Sequence, residues 1–340
     1  MVSTGSTDAT PSSTDVPLVR VRGLGRDFAV RVRTGRFHRR TEVVSAVRDL
    51  SFDIARGEMV GYIGPNGAGK STTIKMLTGI LVPTRGLVRV AGLEPSRHRR
   101  VLARRVGVVF GQRTSLWWDL PLRDSFDLLR RMYEIPAARF AGNLAEYVEL
   151  LDLGDLLDTP VRQLSLGQRM RGDIAAALLH DPEVLYLDEP TIGLDVISKG
   201  RLREFLRALN AERGTTLLLT THDLQDIEAL CDRVIVIDHG TSVFDGGLDR
   251  LRGIGGAHRT LVVDLVDELP GGRRIELPWE SAGLAGAEVT RVEGPRQWIA
   301  FPAGASAAPI VAAVAAAYDV ADLSIAEPEI EEVIKELYSR

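Results

Sequence analysis

The chain has 340 residues, of which 45% are hydrophobic and 26% are charged, and its 42 basic and 46 acidic side chains give a formal net charge of −4. This is ordinary globular usage, so it excludes a wholly disordered, collagen-like or disulfide-dense protein. At about 150 residues per domain, the length predicts two domains.

The first 57 residues predict a tail and then a small antiparallel sheet. Residues 1–17 are rich in Ser, Thr and Asp, which predicts a disordered tail and not a secretory signal. Residues 18–57 alternate short apolar and polar runs around a basic stretch at 31–40, a pattern typical of a β-hairpin with a basic loop. The simpler interpretation of this loop is a solvated one, and contact with anionic lipid headgroups is the alternative.

A strand, a glycine-rich loop and a helix are predicted in direct succession over residues 59–77. The loop, residues 64–71, matches the pattern G-x-x-x-x-G-K-[ST], in which backbone N–H groups and a helix N-terminus bind phosphates. Lys70 is expected to neutralise the β- and γ-phosphates of a nucleotide, and Ser71 to bind Mg²⁺. The residues expected to contact the nucleotide here are Gly64, Pro65, Asn66, Gly67, Ala68, Gly69, Lys70, Ser71 and Thr72.

Two details of this loop support the interpretation. A Cβ at Gly67 or Gly69 is expected to crowd the phosphates. Only four of the 42 basic residues are lysines, and one of them is Lys70. A compact ammonium fits between phosphates where a planar guanidinium does not.

Further apolar runs predict the rest of an α/β fold. The runs at 106–110, 184–187, 216–219 and 234–237 are consistent with buried strands, and helical patterns separate them. This alternation predicts a parallel sheet core covered by helices. Residues 113–177 predict a helical insert between two of its strands.

Two acids, Asp188 and Glu189, follow the apolar run at 184–187. In an open parallel sheet, the carboxyl ends of the strands line the ligand crevice. Asp188 is therefore expected to hold Mg²⁺ through water, and Glu189 to accept a proton from the attacking water. Acids after a strand are also common as helix caps, and it is the phosphate loop that favours the catalytic interpretation.

Residues 164–168 read Leu-Ser-Leu-Gly-Gln and resemble the LSGGQ signature of the ATPase subunits of ABC transporters, with Leu166 in place of the first glycine. The resemblance covers about residues 18–250 and implies an ABC-type P-loop NTPase with an antiparallel β subdomain, which binds and hydrolyses ATP with Mg²⁺. It also implies that Ser165, Gly167 and Gln168 clamp the γ-phosphate held by the other subunit of a dimer.

The same resemblance implies roles for residues elsewhere in the chain. Gln112 resembles the glutamine that contacts Mg²⁺ and the attacking water, and His222 resembles the switch histidine that contacts the γ-phosphate. Asp195 resembles the aspartate that crosses the dimer interface. Phe28 is expected to stack on adenine, with Phe37 as the rival. Without the resemblance, these residues are explained as a turn glutamine, a structural histidine, and sheet aromatics.

Residues 258–340 predict a small α+β domain. It has alternating stretches at 261–266, 273–277 and 289–301, a helix at 306–318, a strand at 323–325 and a helix at 329–338. Its seven basic and fourteen acidic residues give −7 and the tail gives −2, which leaves +5 for residues 18–257. A basic body suits an anionic ligand, but this excess is too small to indicate nucleic acid. We expect the domain to take no part in hydrolysis.

Three stretches, at 117–121, 191–196 and 325–334, resemble type-2 ABC exporters and point toward drug or amphiphile efflux. In that family the region of Trp117 and Trp118 is a groove that receives a helix of the membrane subunit, and a buried tryptophan cluster fits the composition equally well. The sequence thus predicts an ATPase that forms a homodimer, or a dimer with a related ATPase, around two Mg·ATP. It is expected to act peripherally at the cytoplasmic face of the membrane, where it drives separate transmembrane permease subunits.

A soluble ABC-type ATPase that acts on nucleic acid or ribosomes is the alternative. Such proteins usually carry two cassettes, or a long coiled coil between phosphate loop and signature. Here there is one phosphate loop, and Lys70 and Ser165 are 95 residues apart, which favours the transporter subunit without a nucleic-acid partner. A kinase with the same loop would leave the signature unexplained.

Overall fold

The computed structural model describes residues 16–33, 39–111, 113–254, 258–277, 279, 286–302, 305–326 and 330–338. The chain forms two compact units, which divide between Asp245 and Gly246. Gln112, Phe37 and nearly all of the predicted tail lie outside the described residues.

The first unit is built on one sheet, whose last strand runs two residues past the unit boundary. Its elements are β1 (Val19–Arg33), β2 (Arg39–Ile54), β3 (Met59–Ile63), α1 (Lys70–Leu77), β4 (Arg85–Val90), α2 (Arg99–Ala103), β5 (Val106–Phe110), α3 (Leu122–Met132), α4 (Ala137–Leu150), α5 (Leu166–Leu178), β6 (Val184–Asp188), α6 (Val196–Arg213), β7 (Thr216–Thr220), α7 (Leu224–Leu230), β8 (Arg233–Asp238) and β9 (Thr241–Gly247). Helices α3, α4 and α5 occupy the stretch between β5 and β6.

The strand order of this sheet is β4-β1-β2-β9-β8-β3-β7-β6-β5. Strand β3 pairs in parallel with β7 and β8, and β6 pairs in parallel with β5 and β7. Strand β1 pairs antiparallel with β2 and β4. The predicted α/β fold with a parallel core is confirmed, and the carboxyl ends of β3, β6 and β7 meet at one edge of it.

The core of the first unit explains why its parallel strands are nearly continuous apolar runs. Val60 and Tyr62 of β3 are fully buried, as are Ile74 of α1 and Tyr186 of β6. Parallel strands are usually covered by helices on both faces, which leaves few of their positions in contact with water. The Tyr62 hydroxyl donates to Thr73 Oγ1 at 3.1 Å, which fastens α1 to the strand before it.

The second unit has a sheet and core of its own. Its elements are α8 (Leu248–Arg252), β10 (His258–Leu265), β11 (Glu288–Glu293), β12 (Arg296–Pro302), α9 (Ala308–Ala317), β13 (Val320–Ala326) and α10 (Ile330–Tyr338). The strand order is β11-β12-β10-β13, antiparallel throughout. Leu261, Val263, Ile299 and Phe301 are fully buried and pack in one cluster with Val314 of α9.

The structure corrects two expectations about strands and adds two strands. The stretch at 289–301 is a hairpin, in which the chain turns at Gly294 with φ 56°. Residues 273–277 form no strand, because Ile275 N donates to the Gln297 side chain (2.8 Å) instead of to a ladder partner. Strands β4 and β9 were not predicted. None of the described helices is long and apolar enough to cross a bilayer.

Candidate nucleotide site

The loop between β3 and α1 needs its glycines for different reasons. Gly67 and Gly69 have φ of 86° and 105°, a region that favours glycine. A Cβ would lie 2.6 Å from Ala46 O at Gly69 and 2.4 Å from Ile237 O at Gly64, whereas at Gly67 it would meet no described atom within 4 Å. Crowding of phosphates therefore does not by itself explain Gly69, because the backbone of β2 already excludes a side chain there.

Lys70 begins α1 and is buried, with 8% of it exposed. Its Nζ donates to the carbonyl oxygens of Gly64 (2.5 Å) and Pro65 (3.2 Å). Burial lowers the pKa of Lys70, and the charges of Glu189 and Asp188 oppose that effect. The ammonium is thus held against the loop, within the field of the two acids that the sequence analysis selected.

Asp188, the last residue of β6, joins three elements. Its carboxylate accepts hydrogen bonds from Ser71 Oγ of α1 (2.9 Å) and from Thr220 Oγ1 of β7 (2.5 Å). Thr220 was missed by the sequence analysis, although its place at the end of an apolar strand just before His222 is a signal that identifies it. Together these oxygens form a compact polar cluster beside the loop.

The oxygens of Ser71 and Asp188 are the hard ligands that Mg²⁺ prefers. Among the described residues, no three His, Cys, Asp or Glu side chains are grouped to hold a metal. Mg²⁺ usually takes one or two carboxylates together with waters and substrate phosphates. The donor set therefore fits an ion that arrives with a polyphosphate. Gln112 lies beyond the described residues, but its neighbour Gly111 donates its N–H to Asp188 O at 2.7 Å.

Glu189 and His222, predicted separately, lie in contact. Glu189 leaves β6 with φ 57°, a conformation that costs a residue other than glycine about 1–2 kcal/mol. Its N–H donates to Thr220 O at 2.9 Å. Its Oε1 is 2.7 Å from His222 Nε2. The strained turn at the end of β6 directs the acid toward the segment that follows β7.

A fully buried carboxylate, Asp226 of α7, fastens the two segments that carry this pair. It accepts hydrogen bonds from Thr191 Oγ1 (2.6 Å) and Thr221 Oγ1 (3.2 Å), and Arg203 Nε of α6 lies 2.7 Å from its other oxygen. Thr191 is two residues after Glu189, and Thr221 directly precedes His222. Asp226 was not predicted, because nothing in the local sequence marks an acid on a short helix as buried.

An open cleft of about 420 Å³ lies at this edge of the sheet. Its lining residues combine acids, bases and a polar loop: Asn66, Ser71, Lys75, Ile80, Phe110, Gly111, Arg113, Asp188 and Glu189. Neither Ser165 nor Gly167 is among them. The cleft of one chain is therefore lined by Asn66 and Ser71 of the phosphate loop and by the two acids, but not by the signature residues.

Ser165 is the N-cap of α5 and forms a capping box with Gln168. Ser165 Oγ accepts from Gln168 N (3.2 Å), and Ser165 N donates to Gln168 Oε1 (2.9 Å). The side chain of Leu166 lies against Gly193, where a Cβ would be 2.4 Å from Leu166 Cδ2. The side chain of Leu166, which stands where the family signature has a glycine, thus packs against Gly193.

Asp195 is the N-cap of α6 and accepts from Ser198 N (2.9 Å) and Ser198 Oγ (2.7 Å). These hydrogen bonds lower the pKa of Asp195. The side chains beside it are uncovered: Val196 is 86% exposed and Ile197 is 71% exposed. Two exposed apolar side chains thus follow the capping aspartate directly.

The predicted aromatic residues lie in two places. Phe28 of β1 is half-buried, pairs across the hairpin with Val44, and has the Arg26 guanidinium 4.7 Å from its ring centroid. Trp117 and Trp118 are 36% and 51% exposed, so the alternative of a buried tryptophan cluster is wrong.

A glycine-rich loop between strand and helix, a lysine at the helix start and an aspartate at the end of a neighbouring strand define a P-loop NTPase. The family model described as "ABC transporter" matches residues 47–192. The chain is 35% identical over 216 residues to the ABC transporter ATP-binding protein NatA of Bacillus subtilis (strain 168), which covers 64% of this chain and 87% of that protein. The chain belongs to the family of ABC transporter ATP-binding proteins.

Other relatives and solved structures agree. The chain is 37% identical over 236 residues to the Nod factor export ATP-binding protein I of Ralstonia nicotianae, covering 69% of each chain. The structure of an ATP-binding subunit of an ABC transporter matches with a TM-score of 0.59 and 28% identity, over 69% of this chain and 92% of that one. A dimeric ATP-binding cassette in a post-hydrolysis state, bound to ADP and Pi, matches with a TM-score of 0.59 and 25% identity, over 68% and 98%.

These findings confirm the resemblance, the fold class and the enzymatic activity predicted from the sequence. The protein binds ATP and is an ATP hydrolase of the ABC type. None of the relatives described here supports the alternative of a soluble ATPase that acts on nucleic acid.

Proposed function

We propose that this protein is the ATPase subunit of a type-2 ABC exporter, which dimerises around two Mg·ATP and powers transport by separate transmembrane subunits. The observation that carries the proposal is that Asp188 and Glu189, which line one cleft, each have a paired side chain beside them. Ser71 lies 2.9 Å from Asp188, and Glu189 lies 2.7 Å from His222. One pair supplies oxygens for a metal and the other supplies a base with its orienting partner.

In the proposed reaction, the Glu189 carboxylate accepts a proton from the water that attacks the γ-phosphorus. The new O–P bond forms as the bond from phosphorus to the ADP oxygen breaks, so ADP and phosphate result. His222 keeps the carboxylate oriented and contacts the γ-phosphate. Lys70 and the N–H groups of the phosphate loop bind the β- and γ-phosphates.

A metal held here would supply neutralisation of the phosphate charge. Ser71 would hold it directly and Asp188 through water, with Gln112 as the third contact. Thr220 keeps the Asp188 carboxylate in place from the opposite side. We expect hydrolysis to stop when Mg²⁺ is removed with EDTA and to return when it is added back.

A second copy of the chain, or a related ATPase, would complete the site. Ser165, Gly167 and Gln168 begin α5 and do not line the cleft of their own chain. The proposed clamp on the γ-phosphate therefore comes from a partner. The exposed apolar side chains of Val196 and Ile197 beside Asp195 suit such a contact, because patches of this kind mark association surfaces.

The proposed membrane partner would contact the pair Trp117 and Trp118. Exposed aromatic residues are frequent anchors of interfaces, and these two follow directly on the segment that borders the cleft. Relatives named for Nod factor export, and for daunorubicin and doxorubicin resistance in Streptomyces peucetius, support export of a drug or amphiphile. The protein would then be peripheral at the cytoplasmic face of the membrane.

The variant Glu189→Gln tests the proposal, because it preserves shape and removes the base. We expect ATP binding within about threefold of wild type, a loss of hydrolysis of about 100-fold or more, and a dimer in size-exclusion chromatography with ATP and Mg²⁺. Glu183→Gln is the matched control, since Glu183 precedes the opposite end of β6 and pairs with Arg56. A Glu189→Gln protein that stays monomeric in ATP and hydrolyses normally contradicts the assignment.

The membrane partner needs a second measurement. We expect the tagged chain, purified from its own host in mild detergent, to bring down hydrophobic permease proteins, and Trp118→Ala to reduce their yield. Recovery of RNA or DNA in their place would support the nucleic-acid alternative.

A further inference from the structure

A single buried carboxylate binds the chain segment that follows β5 and borders the cleft, residues 111–118. Asp173 lies on α5 and is 6% exposed. Its Oδ1 accepts hydrogen bonds from Thr114 Oγ1 (2.9 Å), Ser115 N (2.8 Å) and Ser115 Oγ (3.0 Å). Burial raises the pKa of Asp173, while these bonds and the charge of Arg169 oppose the rise. Burial of a carboxylate is costly unless its bonds are made, so the three bonds hold the two elements together.

The other end of the same segment is attached to the hydrolysis site. Phe110 pairs with Asp188 in the register of β5 and β6, and Gly111 N donates to Asp188 O. Arg113 lines the cleft. Five residues after β5, from 111 to 115, therefore lead from the hydrogen bond with Asp188 to the hydrogen bonds with Asp173 on α5.

Helix α5 connects Asp173 to the signature residues, which lie at the N-terminal end of the helix. Its N-cap, Ser165, is eight residues earlier, which corresponds to about 12 Å along the helix axis. The same face of the helix makes two further contacts with the segment. A Cβ at Gly172 would lie 3.2 Å from Leu116 Cδ1, and the Arg169 guanidinium is 5.6 Å from the Trp118 ring centroid.

We propose that Asp173 is a positioning residue for ATP hydrolysis, which makes the segment beside the cleft and the helix headed by Ser165 move as one body. The inference rests on the proposed function. A displacement imposed at Trp118 by a membrane partner would reach the hydrolysis site of this chain through Gly111. Through α5 it would also reach the clamp that this chain offers to its partner.

Three variants of the full chain test the role. Asp173→Ala removes the acceptor, and Asp173→Asn keeps an oxygen that can still accept bonds from the segment while it removes the charge. Asn143→Ala is the matched control, because Asn143 of α4 is equally buried and binds Leu179 O and Asp181 at the far end of α5. The measurements are steady-state ATPase kinetics, ATP-dependent dimerisation of each variant in the Glu189→Gln background, and thermal unfolding.

For Asp173→Ala we expect kcat to fall about tenfold or more with the KM for ATP within about twofold, a split that indicates a loss confined to the step after binding. Asp173→Asn is expected within about threefold of wild type, and Asn143→Ala is expected to lose stability with its kcat unchanged. If Asp173→Ala does not fold, Thr114→Val with Ser115→Ala removes the two hydroxyl donors from the segment side and should lower kcat in the same way.

A wild-type kcat in a folded Asp173→Ala protein, or in the loop-side double variant, overturns the inference. An equal kcat loss in Asn143→Ala also overturns it, because the effect would then follow from general destabilisation. If the wild-type chain hydrolyses ATP and Glu189→Gln dimerises with ATP, these results concern Asp173 alone. Without that dimer, the proposed function fails and the inference fails with it.

Discussion

Alanine at Gly67 and at Gly69 separates two reasons for glycine in the phosphate loop. Both positions have positive φ, 86° and 105°, so alanine at either costs about 1–2 kcal/mol of the free energy of unfolding. At Gly69 the added Cβ also lies 2.6 Å from Ala46 O, and overpacking of this kind costs about 1–3 kcal/mol more. We therefore expect a loss of about 1–2 kcal/mol for Gly67→Ala and about 2–5 kcal/mol for Gly69→Ala.

The loss of ATP affinity should not follow the loss of stability in these two variants. At Gly67 the Cβ meets no described protein atom within 4 Å, so a loss of ATP affinity there would be due to crowding of the bound phosphates. We expect Gly67→Ala to weaken binding of a slowly hydrolysed ATP analogue about tenfold or more, a change that corresponds to about 1.4 kcal/mol. Gly67→Ala would thus keep more stability than Gly69→Ala while it still loses affinity.

Urea unfolding and isothermal titration calorimetry measure the two quantities. Each variant is compared with wild type in the same buffer, so that errors of extrapolation are shared. Equal destabilisation of the two variants within about 0.5 kcal/mol would refute the packing argument. Normal ATP binding by Gly67→Ala would refute the argument from crowded phosphates.

Two further substitutions address the metal ligand and the base of the nucleotide. Thr220→Val removes the 2.5 Å hydrogen bond to Asp188. Since a hydrogen bond to a charged group is worth about 1.5–3 kcal/mol, we expect the rate of phosphate release at saturating ATP to fall about tenfold or more. An unchanged rate would show that Thr220 does not position the acid. Phe28→Ala should weaken ATP binding by about 1–3 kcal/mol if the ring stacks on adenine, and Phe28→Trp should restore it. Wild-type affinity in Phe28→Ala would instead favour Phe37.

The parallel core could be predicted from the sequence because its strands are buried on both faces. Strand β6 is an uninterrupted apolar run up to Asp188, and all five residues of β7 are buried. Strand β4 shows only two buried positions, Val88 and Val90, among exposed ones. Such a strand gives no apolar run, and its pairing with β1 is a tertiary contact that no local pattern encodes.

The site could be predicted where its residues are contiguous in sequence. The phosphate loop and the pair at 188–189 are local patterns, and the strand order brings them to one edge. The contacts of Asp173 and Asp226 join residues that are 58 and 35 positions apart in the chain. A buried acid of this kind is indistinguishable in sequence from a solvated one, because its burial depends on contacts with elements that are distant in the chain. The roles of Gln112 and Asp195 stay predictions.

The contact of Leu166 with Gly193 makes substitutions at these two positions interdependent. A Cβ at position 193 would lie 2.4 Å from Leu166 Cδ2, so a side chain there requires the half-exposed leucine to change its rotamer. Gly193 also has φ 72°, a region that favours glycine whatever residue stands at 166. Two positions 27 residues apart are therefore coupled through one side chain, and the effect of a substitution at either depends on the residue at the other.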